Sequence, residues 1–183
     1  KKAQQVFKDI GLGGWLDDWD LENIYKEVSV LVPYQRYLEI GVARGKSMAV
    51  AVLAAKMGVE VYGVDTIDWK DRDENIRKFL EMMTNQGHTI YEFIEEDSQT
   101  LAKYWKNEMV DLLFIDGDHT YEGVLKDIIS WWPWVKTGGK VMFDDYNDIH
   151  GVKKAVMETI KSHPKYSVRH QIIDNEMFIV TKL

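Results

Sequence analysis

From residue 34 onward the chain alternates two hydrophobic patterns. Blocks of consecutive apolar residues fall at about 36–42, 60–65, 89–95, 110–116 and 140–145. Between them, apolar positions recur at helical spacing: Ile76, Phe79, Leu80 and Met83; Tyr121, Val124, Leu125, Ile128, Ile129 and Trp132; Val152, Ala155, Val156 and Ile160. The blocks read as strands and the spaced stretches as helices. Strand and helix in alternation imply right-handed crossovers and a mostly parallel sheet. A run as continuous as Val110-Asp111-Leu112-Leu113-Phe114-Ile115 suits a strand covered on both faces. The end of the chain differs. Tyr166 to Ile173 and Met177 to Thr181 read as strands with only Asp174-Asn175-Glu176 between them, a gap that permits only a hairpin. The pattern therefore predicts an α/β fold: a Rossmann-like, seven-stranded, mostly parallel sheet with a C-terminal antiparallel hairpin and helices on both faces.

Ahead of this core, Val6, Phe7 and Ile10 suggest a short helix broken at Gly11-Leu12-Gly13-Gly14. Leu21, Ile24, Tyr25 and Val28 keep helical spacing up to a stop at Pro33. No repeat, low-complexity tract or linker divides the chain, so residues 1–183 read as one domain: a helical segment over 1–33 and an α/β core over 34–183.

Composition narrows the function. A net charge of −7 argues against nucleic acid or an anionic membrane as the main partner. Without cysteine there is no disulfide frame, thiolate metal site or cysteine nucleophile. No apolar run is long enough to span a bilayer, and Lys1-Lys2-Ala3-Gln4 is not followed by an apolar signal core, so a cytoplasmic protein is expected.

The first candidate chemistry lies in Tyr37-Leu38-Glu39-Ile40-Gly41-Val42-Ala43-Arg44-Gly45-Lys46-Ser47, a strand, a glycine loop and the start of a helix. Glycine leaves no Cβ between such a loop and a ligand. Twenty residues after Gly45, Asp65 ends the second strand block, where an acid accepts hydrogen bonds from a ribose diol. Together they point to a cofactor bearing a nucleoside. A dinucleotide site shows G-x-G-x-x-G around its pyrophosphate. Here the spacing is G-x-x-x-G, Ala43 takes the middle position, and Glu39 at the mouth of the loop would repel a diphosphate. S-adenosylmethionine carries an ammonium, a sulfonium and a ribose but no phosphate, and suits these residues better.

In open α/β sheets ligands bind beyond the carboxyl ends of the strands. Those ends are acidic here: Glu95-Glu96-Asp97-Ser98, Asp116-Gly117-Asp118-His119 and Asp144-Asp145-Tyr146-Asn147. Asp97 and Ser98 fit two compatible roles, capping the next helix and meeting an adenine edge. Asp116, Asp144 and Asp145 would repel one another if they converged, and a hard divalent cation relieves this. Mg²⁺ suits a few carboxylates and several waters, and Ca²⁺ or Mn²⁺ suits the same ligand type. His119, three residues past Asp116, can take a proton at neutral pH. Trp131, Trp132 and Trp134 lie far from this rim and suggest core packing or a contact between copies of the chain. Trp69 fits two readings, a stack against a purine or an exposed loop aromatic, and Trp15 and Trp19, flanking Asp17-Asp18, fit a mobile lid that nothing in the sequence fixes.

These motifs resemble the class I S-adenosylmethionine-dependent methyltransferases, specifically the small metal-dependent O-methyltransferases that include the catechol and macrolide-sugar enzymes. The resemblance covers about residues 34–183 and rests on the glycine loop, Asp65, the run Phe114 to Gly123 and the run Thr137 to Asp145. It implies that Glu39, Gly41 and Gly45 line the methionine end, that Ser47 reaches the carboxylate, and that Asp65 binds the ribose. It also implies that Asp97 and Ser98 frame the adenine, that Asp116, Asp144 and Asp145 hold Mg²⁺, and that His119 stands at the place of the base. The catechol enzymes have an amide where this chain has Asp145, which leans toward the sugar-modifying branch. The expected reaction is methyl transfer to a hydroxyl of a small molecule. Competing readings are metal-free transfer through His119 or Tyr146 alone, a silent cofactor-binding partner working through its tryptophan surface, and a metal-dependent hydroxylase-like relative.

Overall fold

The computed structural model describes residues 16–66, 74–85, 87, 90–106, 109–147, 149–162, 166, 168–174 and 177–183. The expected first helix at Val6–Ile10, the break at Gly11–Gly14, Trp15 and Trp69 lie outside these residues.

Helix α1 (Asp18–Ser29) is fixed at its start by a reciprocal cap: Asp17 accepts from the Trp19 and Asp20 amides, and Asp20 accepts from the Asp17 amide. It ends at the Val30 cap, before Pro33 is reached. Then follow β1 (Arg36–Ile40), α2 (Lys46–Ala54), β2 (Glu60–Asp65), α3 (Glu74–Asn85), β3 (Ile90–Glu95), α4 (Ser98–Tyr104), β4 (Val110–Ile115) and α5 (Tyr121–Trp131). A 3-10 turn at Trp132–Trp134 leads into β5 (Val135–Phe143), then α6 (His150–Val156) with a π-helical extension to Lys161, β6 (Val168–Asp174) and β7 (Met177–Lys182).

The sheet runs β3-β2-β1-β4-β5-β7-β6. The first five strands are parallel, and β7 pairs antiparallel with both β5 and β6, as the short hairpin gap requires. The apolar run of β4 explains the layering. Leu112 and Phe114 pack with α1, α2 and α3 on one face, while Leu113 and Ile115 pack with α5 and α6 on the other. The chain leaves β1 toward β2 on one side and returns as β4 on the other, so a crevice opens between these strands at their carboxyl ends.

Two boundaries differ from the sequence pattern in a way that matters. Strand β5 begins at Val135 rather than near residue 140, because Thr137-Gly138-Gly139 reads as a turn yet stays in the ladder through a register shift opposite Val110 and Leu112. It ends at Phe143, so Asp144 and Asp145 hang beyond it. Trp131 and Trp132 are buried in the core, so they form no surface patch.

Candidate active site

Four hydrogen bonds continue the strand pairing one residue past the strand ends. Gly41 N donates to Val64 O (2.9 Å), Asp116 N to Ile40 O (2.9 Å), Asp144 N to Ile115 O (3.2 Å) and Glu96 N to Asp65 O (3.1 Å). They carry Asp65, Gly41, Asp116 and Asp144 off neighbouring strands side by side. The glycine loop then turns with positive φ at Gly41, Ala43 and Gly45. At Gly41 a Cβ would meet the Asp116 carbonyl oxygen at 2.0 Å, so the space this glycine leaves is taken by the β4 loop rather than by a ligand. The Ala43 amide donates to Asp65 Oδ2 at 2.7 Å, which ties the loop to the expected ribose acid.

Two cavities meet at this corner. One, of about 420 Å³, is lined by Gly41, Ser47, Asp116, His119, Asp144 and Asp145, with Leu16 from just ahead of α1 and Asp20 from its first turn. The other, of about 340 Å³, is lined by Asp65, Asp97, Ser98, Gln99 and Asp127. Gly41, Ala43, Asp116 and Gly117 form a wall common to both. Among the expected site residues, Glu39 and Gly45 line neither cavity. Gly45 caps α2 with φ +84. Glu39 lies under the loop, not at its mouth. It is fully buried, accepting from Tyr37 Oη at 2.8 Å and Ser47 Oγ at 2.5 Å. Burial pushes its pKa up to about 8 against the pull of these two hydrogen bonds. Its effect on the cavity passes through Ser47.

At the second cavity Asp97 caps α4, accepting from the Thr100 amide at 2.8 Å. Ser98 is held by its carbonyl, which accepts from Trp131 Nε1 at 3.0 Å, and by its hydroxyl, which donates to Asp127.

On the acidic side His119 spans two carboxylates, with Nε2 3.1 Å from Asp116 Oδ1 and Nδ1 2.7 Å from Asp145 Oδ2. Asp145 reaches this position from a left-handed backbone, φ +53. The hydrogen bond to Asp116 raises the His119 pKa, against partial burial, and the charges of Asp116 and Asp145 add to the rise. Burial raises Asp116, with His119 pulling the other way. Asp144 rises well above the usual carboxylate range, first through burial and then through Asp116, Asp20 and Asp145. Its Oδ1 is buried without a hydrogen-bond partner. Among the described residues no group of three or more His, Asp or Glu side chains is arranged to hold a metal ion. The donor chemistry nevertheless fits a hard cation: three carboxylates at one rim, one with an orphaned buried oxygen. Tyr146 is buried, stacked on Phe178, and outside both cavity linings.

Two site residues escaped the sequence pattern. Asp20 reads as half of a helix cap, and only its i+3 pairing with Asp17 stands out. Asp127 reads as a solvated position on α5, yet it is buried and lines the second cavity. No helix among the described residues is long and apolar enough to cross a membrane.

Residues 38–146 match a family model described as a methyltransferase domain. The chain belongs to this family. Its fold is that of the class I S-adenosylmethionine-dependent methyltransferases. It superimposes on an O-methyltransferase from Bacillus cereus in complex with S-adenosylhomocysteine with a TM-score of 0.68 at 18% identity, covering 99% of this chain and 89% of that one. It superimposes on CalS11, a TDP-rhamnose 3'-O-methyltransferase of calicheamicin biosynthesis, with a TM-score of 0.63 at 16% identity, covering 88% and 76%. In sequence it is 28% identical over 123 residues to the uncharacterized protein R132 of Acanthamoeba polyphaga mimivirus, 61% of this chain. The chain spans about half, 52%, of the length of that curated relative.

Proposed function

We infer that this protein transfers the methyl group of S-adenosylmethionine to a hydroxyl of a small polyhydroxylated or phenolic molecule, with a divalent cation assisting. The observation that carries the reading is the common wall of the two cavities: an acid suited to a ribose stands on one side of Gly41 and Asp116, and an imidazole among carboxylates on the other. In this reading Asp65 binds the ribose hydroxyls, Asp97 and Ser98 frame the adenine, and Ser47 meets the methionine carboxylate. The methyl group then faces the acidic cavity. The site's role there is to hold acceptor oxygen, methyl and sulfur in line, which lowers the barrier by removing the entropy cost of bringing them together. Asp116, Asp144 and Asp145 would hold Mg²⁺ or a similar ion, which when bound lowers the pKa of an acceptor hydroxyl. His119, in its neutral form, takes the proton the hydroxyl gives up. Arg44 and Lys46 line the same cavity as the carboxylates, so its walls carry both signs, and the net charge of −7 favours a small-molecule acceptor over nucleic acid.

Methyl release from labelled S-adenosylmethionine over a panel of sugars, polyols and phenols tests this, with and without Mg²⁺. Turnover that disappears in excess chelator supports the assisted reaction. Turnover indifferent to chelator removes the metal and leaves a second reading, in which His119 works alone once one ring nitrogen leaves its carboxylate, Asp116 or Asp145, to face the acceptor.

A further inference from the structure

Among the described residues the β6–β7 hairpin lines neither cavity, yet it packs against the residue that follows the acidic rim. Phe178, on β7 and in register with Phe143 of β5, stacks on Tyr146 with ring centroids 4.6 Å apart and planes 18° from parallel. Both rings are buried, and Tyr146 Oη donates to Met157 Sδ at 3.5 Å in the π-helical extension of α6. Tyr146 is thereby fixed in the core, immediately after Asp145 in the chain. Asp145 has a left-handed backbone, φ +53, which a residue with a Cβ adopts at a cost and keeps only where its surroundings hold it. Three contacts do so. The Asp144 amide donates to Ile115 O at 3.2 Å, the Ile149 amide donates to Asp145 O at 3.0 Å, and the Tyr146 ring is stacked. With a right-handed or extended backbone the Asp145 Cβ would point elsewhere, and its carboxylate would leave His119 Nδ1, now 2.7 Å from Oδ2. An ionised carboxylate only accepts, so this contact places a proton on Nδ1. Nε2 is then the nitrogen able to meet an acceptor hydroxyl once it parts from Asp116 Oδ1.

We propose that Tyr146, stacked on Phe178 of the terminal hairpin, holds Asp145 in its left-handed backbone and thereby orients the His119 imidazole with Nε2 toward the acceptor hydroxyl. The inference rests on the transfer reading above, in which His119 takes the acceptor's proton, and deepens it. Tyr146 and Phe178 are positioning residues: neither lines a cavity, and each acts only through Asp145. The ring carries the role, because the stack is what ties Tyr146 to the hairpin, whereas the hydroxyl meets only a thioether, a weak acceptor.

Kinetics and the His119 ring proton in Tyr146→Leu and Tyr146→Phe test this. Tyr146→Leu removes the stack and should lower kcat by roughly 10- to 100-fold, with KM and S-adenosylhomocysteine affinity within about 3-fold of wild type. Tyr146→Phe keeps the stack and should hold kcat within about 3-fold. In an Asp145→Ala background, Tyr146→Leu should cost less than about 2-fold more, because the carboxylate it orients is already gone. Losses that multiply, or a Tyr146→Phe as damaged as Tyr146→Leu, overturn the proposal. A readout independent of turnover comes from nuclear magnetic resonance of metal-free protein labelled at histidine nitrogen. The Nδ1 proton of His119, assigned by its loss in His119→Gln, should be protected from exchange by Asp145 in the wild type and Tyr146→Phe, and lost to water in Tyr146→Leu. Its absence from the wild type, or its persistence in Tyr146→Leu, also overturns the proposal. Should Tyr146→Leu fail to fold, Phe178→Leu removes the stack while keeping the tyrosine and must give the same pattern. A wild type that transfers no methyl group to any acceptor sinks the transfer reading, and the proton signal then decides the Tyr146 assignment by itself.

Discussion

Glu39 gives the site a pH signature that belongs to one side chain. An unfolded glutamate titrates near 4.5, and in the folded protein burial raises it to about 8. Between these values the folded state holds a proton that the unfolded state has released, so stability falls as pH rises from about 4.5 to about 8, by at most about 1.4 kcal/mol per pH unit for this group. Glu39→Gln should flatten that slope in urea titrations across the window, and an unaltered slope contradicts the assignment. On the chemical side, Asp116→Ala and Asp144→Ala should each cut turnover by roughly 100-fold or more while S-adenosylhomocysteine affinity stays within about 3-fold. A parallel loss of affinity would place these residues in cofactor binding instead. The sequence made Asp65, Asp116 and Asp144 legible because each closes an apolar strand block, and a strand end has a known place in this architecture. It misled on Glu39 and Gly41: an acid before a glycine loop looks exposed, yet the strand pleat turns this one inward, and the missing Cβ serves the neighbouring strand's loop. Asp20 and Asp127 act through tertiary neighbours, Asp144 and Ser98, that no local pattern announces.

Among the elements, the seam between α6 and the loop carrying His119 is the most consequential. A Cβ at Gly151 would lie 2.7 Å from the His119 carbonyl oxygen and 2.8 Å from the Tyr121 amide nitrogen. Both contacts are backbone, so the loop itself must yield. Gly151→Ala should therefore move the imidazole and lower kcat by roughly 10- to 100-fold, since displacements near 1 Å cost that much in a positioned site. Cofactor affinity should hold within about 3-fold, because the residues proposed to meet the base and ribose, Asp65, Asp97 and Ser98, lie at other strand ends. A variant with unchanged kcat would show that the seam does not position His119. Strands and helices were largely readable from the apolar blocks and stripes. The start of β5 was not, because Gly138 and Gly139 look like a turn while backbone pairing with β4 absorbs the shift. The sheet order was also hidden, since a parallel crossover places the next strand on either side with equal local patterning.

At the scale of the molecule, one sheet holds two half-sites on opposite sides of a wall only two loops thick. The parallel half supplies every strand end that bears site chemistry, and the β6–β7 hairpin closes the far edge. The segment ahead of the sheet adds Leu16, just before α1, and Asp20 in its first turn, with the Leu16 carbonyl accepting from Lys46 Nζ at 2.6 Å and so fastened to the helix that follows the glycine loop. The central claim is that the nucleoside half receives an adenosyl sulfonium compound rather than a dinucleotide. Calorimetric titration of S-adenosylhomocysteine and of NAD into the protein, and into Asp65→Ala, puts it to the test most directly. The account predicts one S-adenosylhomocysteine per chain, at least about 10-fold weaker binding in Asp65→Ala as the ribose hydrogen bonds are lost, and no heat from NAD. Saturable NAD binding without S-adenosylhomocysteine binding would contradict it.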